Sequence, residues 1–117
     1  MQELSTIVQE ALPVKMAIVS NGYLGMVRQW QDLFQARNYV DVAFHAPDFV
    51  KLADAYGIAA ERVEHEEEIG AALQRAAAHP GPYLIDFVVD SEENVYPMVA
   101  AGQGLDQIIE APERVAA

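Results

Sequence analysis

Apolar residues between positions 2 and 11 fall at helical spacing, with Leu4, Ile7, Val8 and Ala11 forming one stripe and a polar back, which predicts an amphipathic helix. Pro13 stops it. Residues 14–19 form an apolar run broken only by Lys15, the pattern of a strand covered on both faces, and we expect the central strand of a sheet there. Leu24, Val27, Trp30, Leu33 and Phe34 then recur at three- and four-residue intervals and predict a helix over residues 24–36. Residues 37–46 show no period. Pro47 and Asp48 open another helix that carries Phe49, Val50, Leu52, Ala53 and Tyr56 and ends at Gly57. Residues 58–63 read as a short strand or connector. An alanine-rich helix over residues 66–78 has acids in its first turn and Arg75 and His79 near its end, which suits the helix dipole. After Pro80, Gly81 and Pro82, a second apolar strand over residues 83–89 contains Ile85, Phe87, Val88 and Val89. Residues 92–117 form a tail with a short amphipathic turn at residues 105–109.

Strands alternating with helices define an α/β chain: a three-layer sandwich with a mainly parallel sheet and right-handed crossovers. Two clear strands and a short one make a small sheet, with apolar edges or faces left uncovered. Either another chain covers them or the segment belongs to a larger domain. A homo-oligomer that pairs strand edges or tail helices is the expected form.

A chain of 117 residues, 52% apolar and 21% charged, is enough for one domain with a modest core. The net charge of -11, from 18 acidic against 7 basic residues, lacks the clustered Lys and Arg of a nucleic-acid footprint, so no nucleic-acid partner is expected. Acids at residues 64–68 and 90–93 read as solvated helix starts and loops. Without cysteine there is neither a disulfide framework nor a thiolate metal site. The amino terminus has no basic region ahead of an apolar core, which argues against a signal peptide, and no apolar run approaches the roughly 20 residues of a membrane span. The expected address is cytoplasmic, with no membrane partner. His45, His65 and His79 have no metal-helix spacing and are read as surface or capping residues. Neither a Gly-x-Ser-x-Gly elbow nor a phosphate loop is present, so a self-contained hydrolase or nucleotide-binding protein has no support.

The chemistry concentrates at Ser20-Asn21-Gly22. Asn-Gly is good turn chemistry by itself. At the carboxyl end of an apolar strand, however, the Asn21 carboxamide oxygen faces the binding crevice of an open α/β sheet and can ligate a hard cation such as Mg²⁺, with a backbone carbonyl of the same loop as a second ligand.

Gly25-Met26-Val27-Arg28-Gln29-Trp30, Pro47-Asp48-Phe49-Val50-Lys51-Leu52-Ala53 and Asn94-Val95-Tyr96-Pro97-Met98-Val99 stand in that order after Asn21. This order resembles the carboxyl-terminal part of the thiamine-diphosphate-binding domain of acetolactate synthase large catalytic subunits, over nearly the whole chain. The resemblance implies a partial thiamine-diphosphate-binding fold, with thiamine diphosphate and Mg²⁺ as cofactors of the parent enzyme. It implies metal ligation by Asn21 and by the main-chain carbonyl of Tyr23, and a cofactor-binding run of Asn21, Gly22, Tyr23, Leu24, Gly25 and Met26. Met26 and Trp30 would line the substrate channel; read as bare residues, a Met and a Trp four apart on a helix also suit a core.

Four departures stand out. The Gly-Asp-Gly element that supplies the family's first metal ligand is absent. So is the domain carrying the Glu that activates the thiamine ring, which in the family comes from a neighbouring subunit. Residues 37–44 also differ, and Ser20 stands where the family more often has Asn. The expectation is therefore a single partial domain over residues 1–117, with residues 92–117 as its tail and no activity alone. The parent reaction implied is pyruvate decarboxylation followed by two-carbon transfer to a 2-keto acid, in branched-chain amino acid biosynthesis or a catabolic route to acetoin. The rival reading is a non-catalytic interaction module that docks on a synthase subunit or self-associates.

Overall fold

A computed structural model of the chain describes residues 2–112. Three strands, β1 (Lys15–Ser20), β2 (Ala59–Val63) and β3 (Tyr83–Val88), form an all-parallel sheet in the order β1-β3-β2. Four helices accompany them: α1 (Glu3–Gln9), α2 (Gly25–Phe34), α3 (Phe49–Ala55) and α4 (Ile69–Ala78). The expected α/β class, parallel sheet and three layers are therefore present.

Strand alternation assigns the two faces. Tyr83 and Ile85 of β3 and Val63 of β2 meet Ala72 and Ala76 of α4, two alanines whose small side chains let the helix lie close to the sheet. On the opposite face Leu84 packs with Ala53 of α3 and Ile58, and Leu4 of α1, Met16, Ile18 and Phe49 lie against that cluster. Asp48 caps α3 by accepting from the Lys51 N–H at 3.2 Å, and Gly57, at φ 74, lets the chain turn out of it.

The strand expected to be central lies instead at an edge of this sheet. Among the described residues β1 has only β3 beside it, and the face bearing Lys15, Ala17 and Val19 is exposed, Val19 at 70%. β3 takes the middle, with Tyr83, Leu84, Ile85 and Asp86 all buried. An apolar run reports what a strand needs, not what covers it. One smaller correction follows from local geometry. The helix expected from residue 66 opens as a 3-10 turn at Glu66–Glu68, where the Glu68 carboxylate accepts from the N–H groups of Glu64 and His65 at 3.2 Å each. The short turn expected at residues 105–109 is present, with the Gln107 N–H donating to the Gly104 carbonyl at 3.0 Å, and Ile109 pairs with Met98 in an isolated antiparallel bridge.

α2 packs on neither face of the sheet as the other long elements do. It is tied to the residues after β3: Gln29, 1% exposed, donates to the Val95 carbonyl at 2.8 Å and accepts from the Val95 N–H at 2.9 Å. The radius of gyration, 18.1 Å, exceeds the roughly 13 Å of a compact 100-residue domain, as expected when one part stands off from the sheet.

Candidate functional site

Asn21 leaves the carboxyl end of β1, and Gly22, at φ 70, supplies the left-handed turn that a side chain would resist. The Asn21 Oδ1 accepts from the Tyr23 N–H at 3.0 Å, closing a local turn that fixes the carboxamide. A short antiparallel bridge between Tyr23 and Ala43 braces the loop, with Leu24 N–H donating to Val42 at 2.8 Å and Phe44 N–H to Gly22 at 3.1 Å. The backbone bonds of the bridge leave the Tyr23 carbonyl without a backbone donor among the described residues. At Gly25 an added Cβ would lie 3.0 Å from the Asn21 Nδ2, so glycine there gives the carboxamide its room.

This arrangement suits part of a divalent-cation site. Asn21 Oδ1 keeps one lone pair and the Tyr23 carbonyl keeps both, and each is a hard oxygen donor of the kind Mg²⁺ accepts. Two neutral oxygens are fewer than the near-octahedral set the ion demands. Among the described residues, no group of three or more His, Cys, Asp or Glu side chains could hold a metal. The remaining ligands and the compensating charge must come from a bound phosphate group, water or another polypeptide segment.

The next turn of chain separates two faces of α2. Arg28 and Gln29 are buried, with the Arg28 guanidinium between the Tyr23 and Tyr39 rings at 5.1 and 4.7 Å and donating to Ser91 and Glu92 at 3.0 and 2.9 Å. Met26 and Trp30 face outward, 52% and 46% exposed, and Trp30 makes an edge contact with Phe34. Neither is a core residue here. The expected cofactor-binding run from Asn21 to Met26 is thus one continuous loop and helix start, with Trp30 one turn further along.

Beside Ser20 and Gly22 opens a concavity of about 330 Å³ whose wall includes Asp48, Arg62 and Asp86. Asp86, 2% exposed, accepts from the Ser20 hydroxyl at 2.6 Å and from Arg62 Nε at 3.0 Å. Asp86 thereby raises the Arg62 pKa, and the Lys51 N–H keeps the Asp48 carboxyl below its ordinary value. The sequence reading passed over this group. Its one signal was a lone acid inside the apolar run Leu84-Ile85-Asp86-Phe87, since a charge in a buried strand requires a partner. Arg28 and Gln29 left no signal, because a polar pair on a helix is ordinarily solvated.

Residues 1–87 match the thiamine pyrophosphate enzyme, C-terminal TPP binding domain, and the chain belongs to that family. Its curated relatives include acetolactate synthases. The chain is 49% identical over 113 residues to the acetolactate synthase of Mycobacterium bovis, covering 92% of this chain and 18% of that protein. It is 45% identical over 107 residues to the mitochondrial catalytic subunit of Saccharomyces cerevisiae, covering 92% of this chain and 16% of that protein. A solved structure, the thiamine diphosphate-dependent 4-hydroxybenzoylformate decarboxylase of Rhodococcus jostii RHA1, superposes with a TM-score of 0.68 at 27% identity, covering 78% of this chain and 17% of that one. The chain thus spans less than a fifth of the length of these relatives. Among the described residues no helix is long and apolar enough to cross a membrane.

Proposed function

We propose that the chain supplies the asparagine half of a thiamine diphosphate–Mg²⁺ site, as the carboxyl-terminal part of an acetolactate synthase catalytic subunit. The observation that carries the reading is the Asn21 turn: at the carboxyl end of a parallel strand it sets a fixed carboxamide oxygen beside a carbonyl with no backbone donor among the described residues. In this reading Asn21 and the Tyr23 carbonyl hold Mg²⁺. Gly22, Leu24, Gly25 and Met26 form the cofactor wall, and Met26 and Trp30 line the substrate channel. When bound, the cofactor supplies the electron sink for pyruvate decarboxylation and two-carbon transfer to a 2-keto acid. The same reading makes residues 1–117 one partial domain with a tail from residue 92, and gives it a cytoplasmic address.

The 117-residue polypeptide has no Gly-Asp-Gly element and by this reading is inactive alone. Acetolactate formation measured with pyruvate, thiamine diphosphate and Mg²⁺ is expected to stay at background, and turnover would overturn that part of the proposal. Trp30, the single tryptophan, reports on the site directly: thiamine diphosphate with Mg²⁺ should quench its fluorescence, and Asn21→Ala should abolish the response.

A second reading, docking on another synthase subunit or on a second copy, draws on the open side of the sheet. Val19 is 70% exposed there, and a concavity of about 360 Å³ is lined by Ala17, Leu73, Ala76 and Ala77. Sedimentation at high concentration should show a homo-oligomer. A monomer throughout would remove the self-associating form of this reading.

A further inference from the structure

Residue 20 is held twice. Its carbonyl accepts from the Val89 N–H at 3.1 Å, extending the β1–β3 ladder by one bond, and its hydroxyl donates to Asp86 at 2.6 Å. In the register Ile18 lies opposite Asp86, so Ser20 reaches it diagonally across the pair, from the last position before the Asn21 turn. On the other side Arg62 lies directly opposite Asp86 and fills the second carboxylate oxygen at 3.0 Å. Arg62 in turn contacts Asp48, the cap of α3, at 3.3 Å. One chain of charge-assisted bonds therefore runs from the cap of α3 through all three strands to the residue next to Asn21.

Asp86 is buried and Arg62 reaches it from an exposed position, and an ion pair open to water on one side contributes little net stability, whereas its directional bonds fix geometry. We infer that Asp86 is a positioning residue for the cation site: through Ser20 it sets the orientation of the Asn21 carboxamide, with Arg62 holding Asp86 in place. The inference rests on the reading of Asn21 as a metal ligand. It also gives a role to the serine that stands where an asparagine is more usual.

The test uses the 117-residue chain in two NMR measurements. In the first, hydrogen exchange of the Tyr23 amide reports the Asn21–Tyr23 turn without any metal. Ser20→Ala should speed that exchange about tenfold, the scale of a lost hydrogen bond to a charged group, while the Leu84 and Ile85 amides stay protected and Ser20→Thr restores the wild-type rate. Asp86→Asn should act in the same direction, and Ser20→Ala keeps the test decisive if that variant does not fold. The second measurement adds Mn²⁺ with thiamine diphosphate and follows broadening of the amide signals of Asn21, Gly22, Tyr23 and Leu24. Broadening in the wild type that Asn21→Ala abolishes and Ser20→Ala weakens several-fold supports both the site and the positioning. If Asn21→Ala abolishes it and Ser20→Ala leaves both readouts unchanged, the positioning role falls and the site stands. If Mn²⁺ does not broaden these signals in the wild type, the ligand reading falls, and the positioning role falls with it.

Discussion

The sheet body and the α2 arm are built by opposite rules. In the body, β2, β3, α3 and α4 bury small and branched apolar residues on both faces: Ala53, Ala72, Val63, Leu84 and Ile85 are 3% exposed or less. In the arm, the buried members are Arg28 and Gln29, and four of the five large apolar ones, Met26, Val27, Trp30 and Phe34, face outward at 45% to 52%, with Leu33 half-buried. The body is held by area removed from water, which is non-directional and forgiving. The arm is held by a few directed bonds between side chains of α2 and the chain after β3. α2 spends its buried polar residues on internal bonds and turns most of its apolar residues outward, the reverse of the body.

This contrast can be tested by substitution. Leu84→Ala, in the middle of the body, should cost about 2–5 kcal/mol in urea denaturation, the range for a large-to-small core change. A loss well below that range would mean the body tolerates voids as the arm does. Gln29→Ala, in the arm, should cost about 1–3 kcal/mol locally, because it opens a void and deprives the Val95 N–H and carbonyl of their partner. The effect should appear as faster amide exchange at Val95 and earlier proteolysis after residue 90, with the protection of Leu84 unchanged. If Leu84 loses protection in step, the two regions form one cooperative unit and the contrast fails.

Smaller effects separate the regions further. Glu61 in the body accepts from Arg75 Nε at 3.1 Å and from the Tyr83 hydroxyl at 2.8 Å, and Arg75 holds its carboxyl below the usual value. A lowered folded pKa adds stability that is present above the unfolded value, near pH 4.3, and is lost as pH falls through the folded value. The body's urea midpoint should therefore fall below about pH 4.3, and Glu61→Gln should flatten part of that fall at a cost of about 1 kcal/mol or less at neutral pH. Burial and the Glu61 carboxylate, in turn, push the Tyr83 hydroxyl pKa up. Trp30→Ala should change stability least, within about 0.5 kcal/mol, as befits a half-exposed side chain. A large loss would place Trp30 among the structural residues and against the channel reading.

What could be read from the sequence divides along the same line. The helix over residues 47–57 carried its own punctuation, with Asp48 capping it and Gly57 ending it, and α3 follows those marks. The strand at residues 83–89 announced itself by composition, and β3 forms there. The position of β1 was not legible, because apolar content does not reveal which neighbours a strand finds. The Ser20–Asp86–Arg62 chain was hidden for a related reason: its members are 24 and 66 residues apart in sequence, and only the parallel register brings them together. The Asn21 turn, by contrast, is local in sequence. Its residues could therefore be proposed from sequence alone, and the structure brings Asn21, Gly22 and Tyr23 into one bonded loop.

The strand order also governs how the molecule can be made. β1 and β2 never touch each other, since β3, the last of the three to leave the ribosome, is inserted between them. Among the three described strands no pairing exists until the segment that begins at Tyr83 has emerged, and Lys15 must then meet a partner 68 positions further along the chain, the difference between 83 and 15. Sheets assembled from such distant partners carry a high contact order and form slowly. A nascent chain stopped short of Tyr83 would hold β1 and β2 without the strand that joins them, so the three-stranded sheet cannot close before β3 has been made.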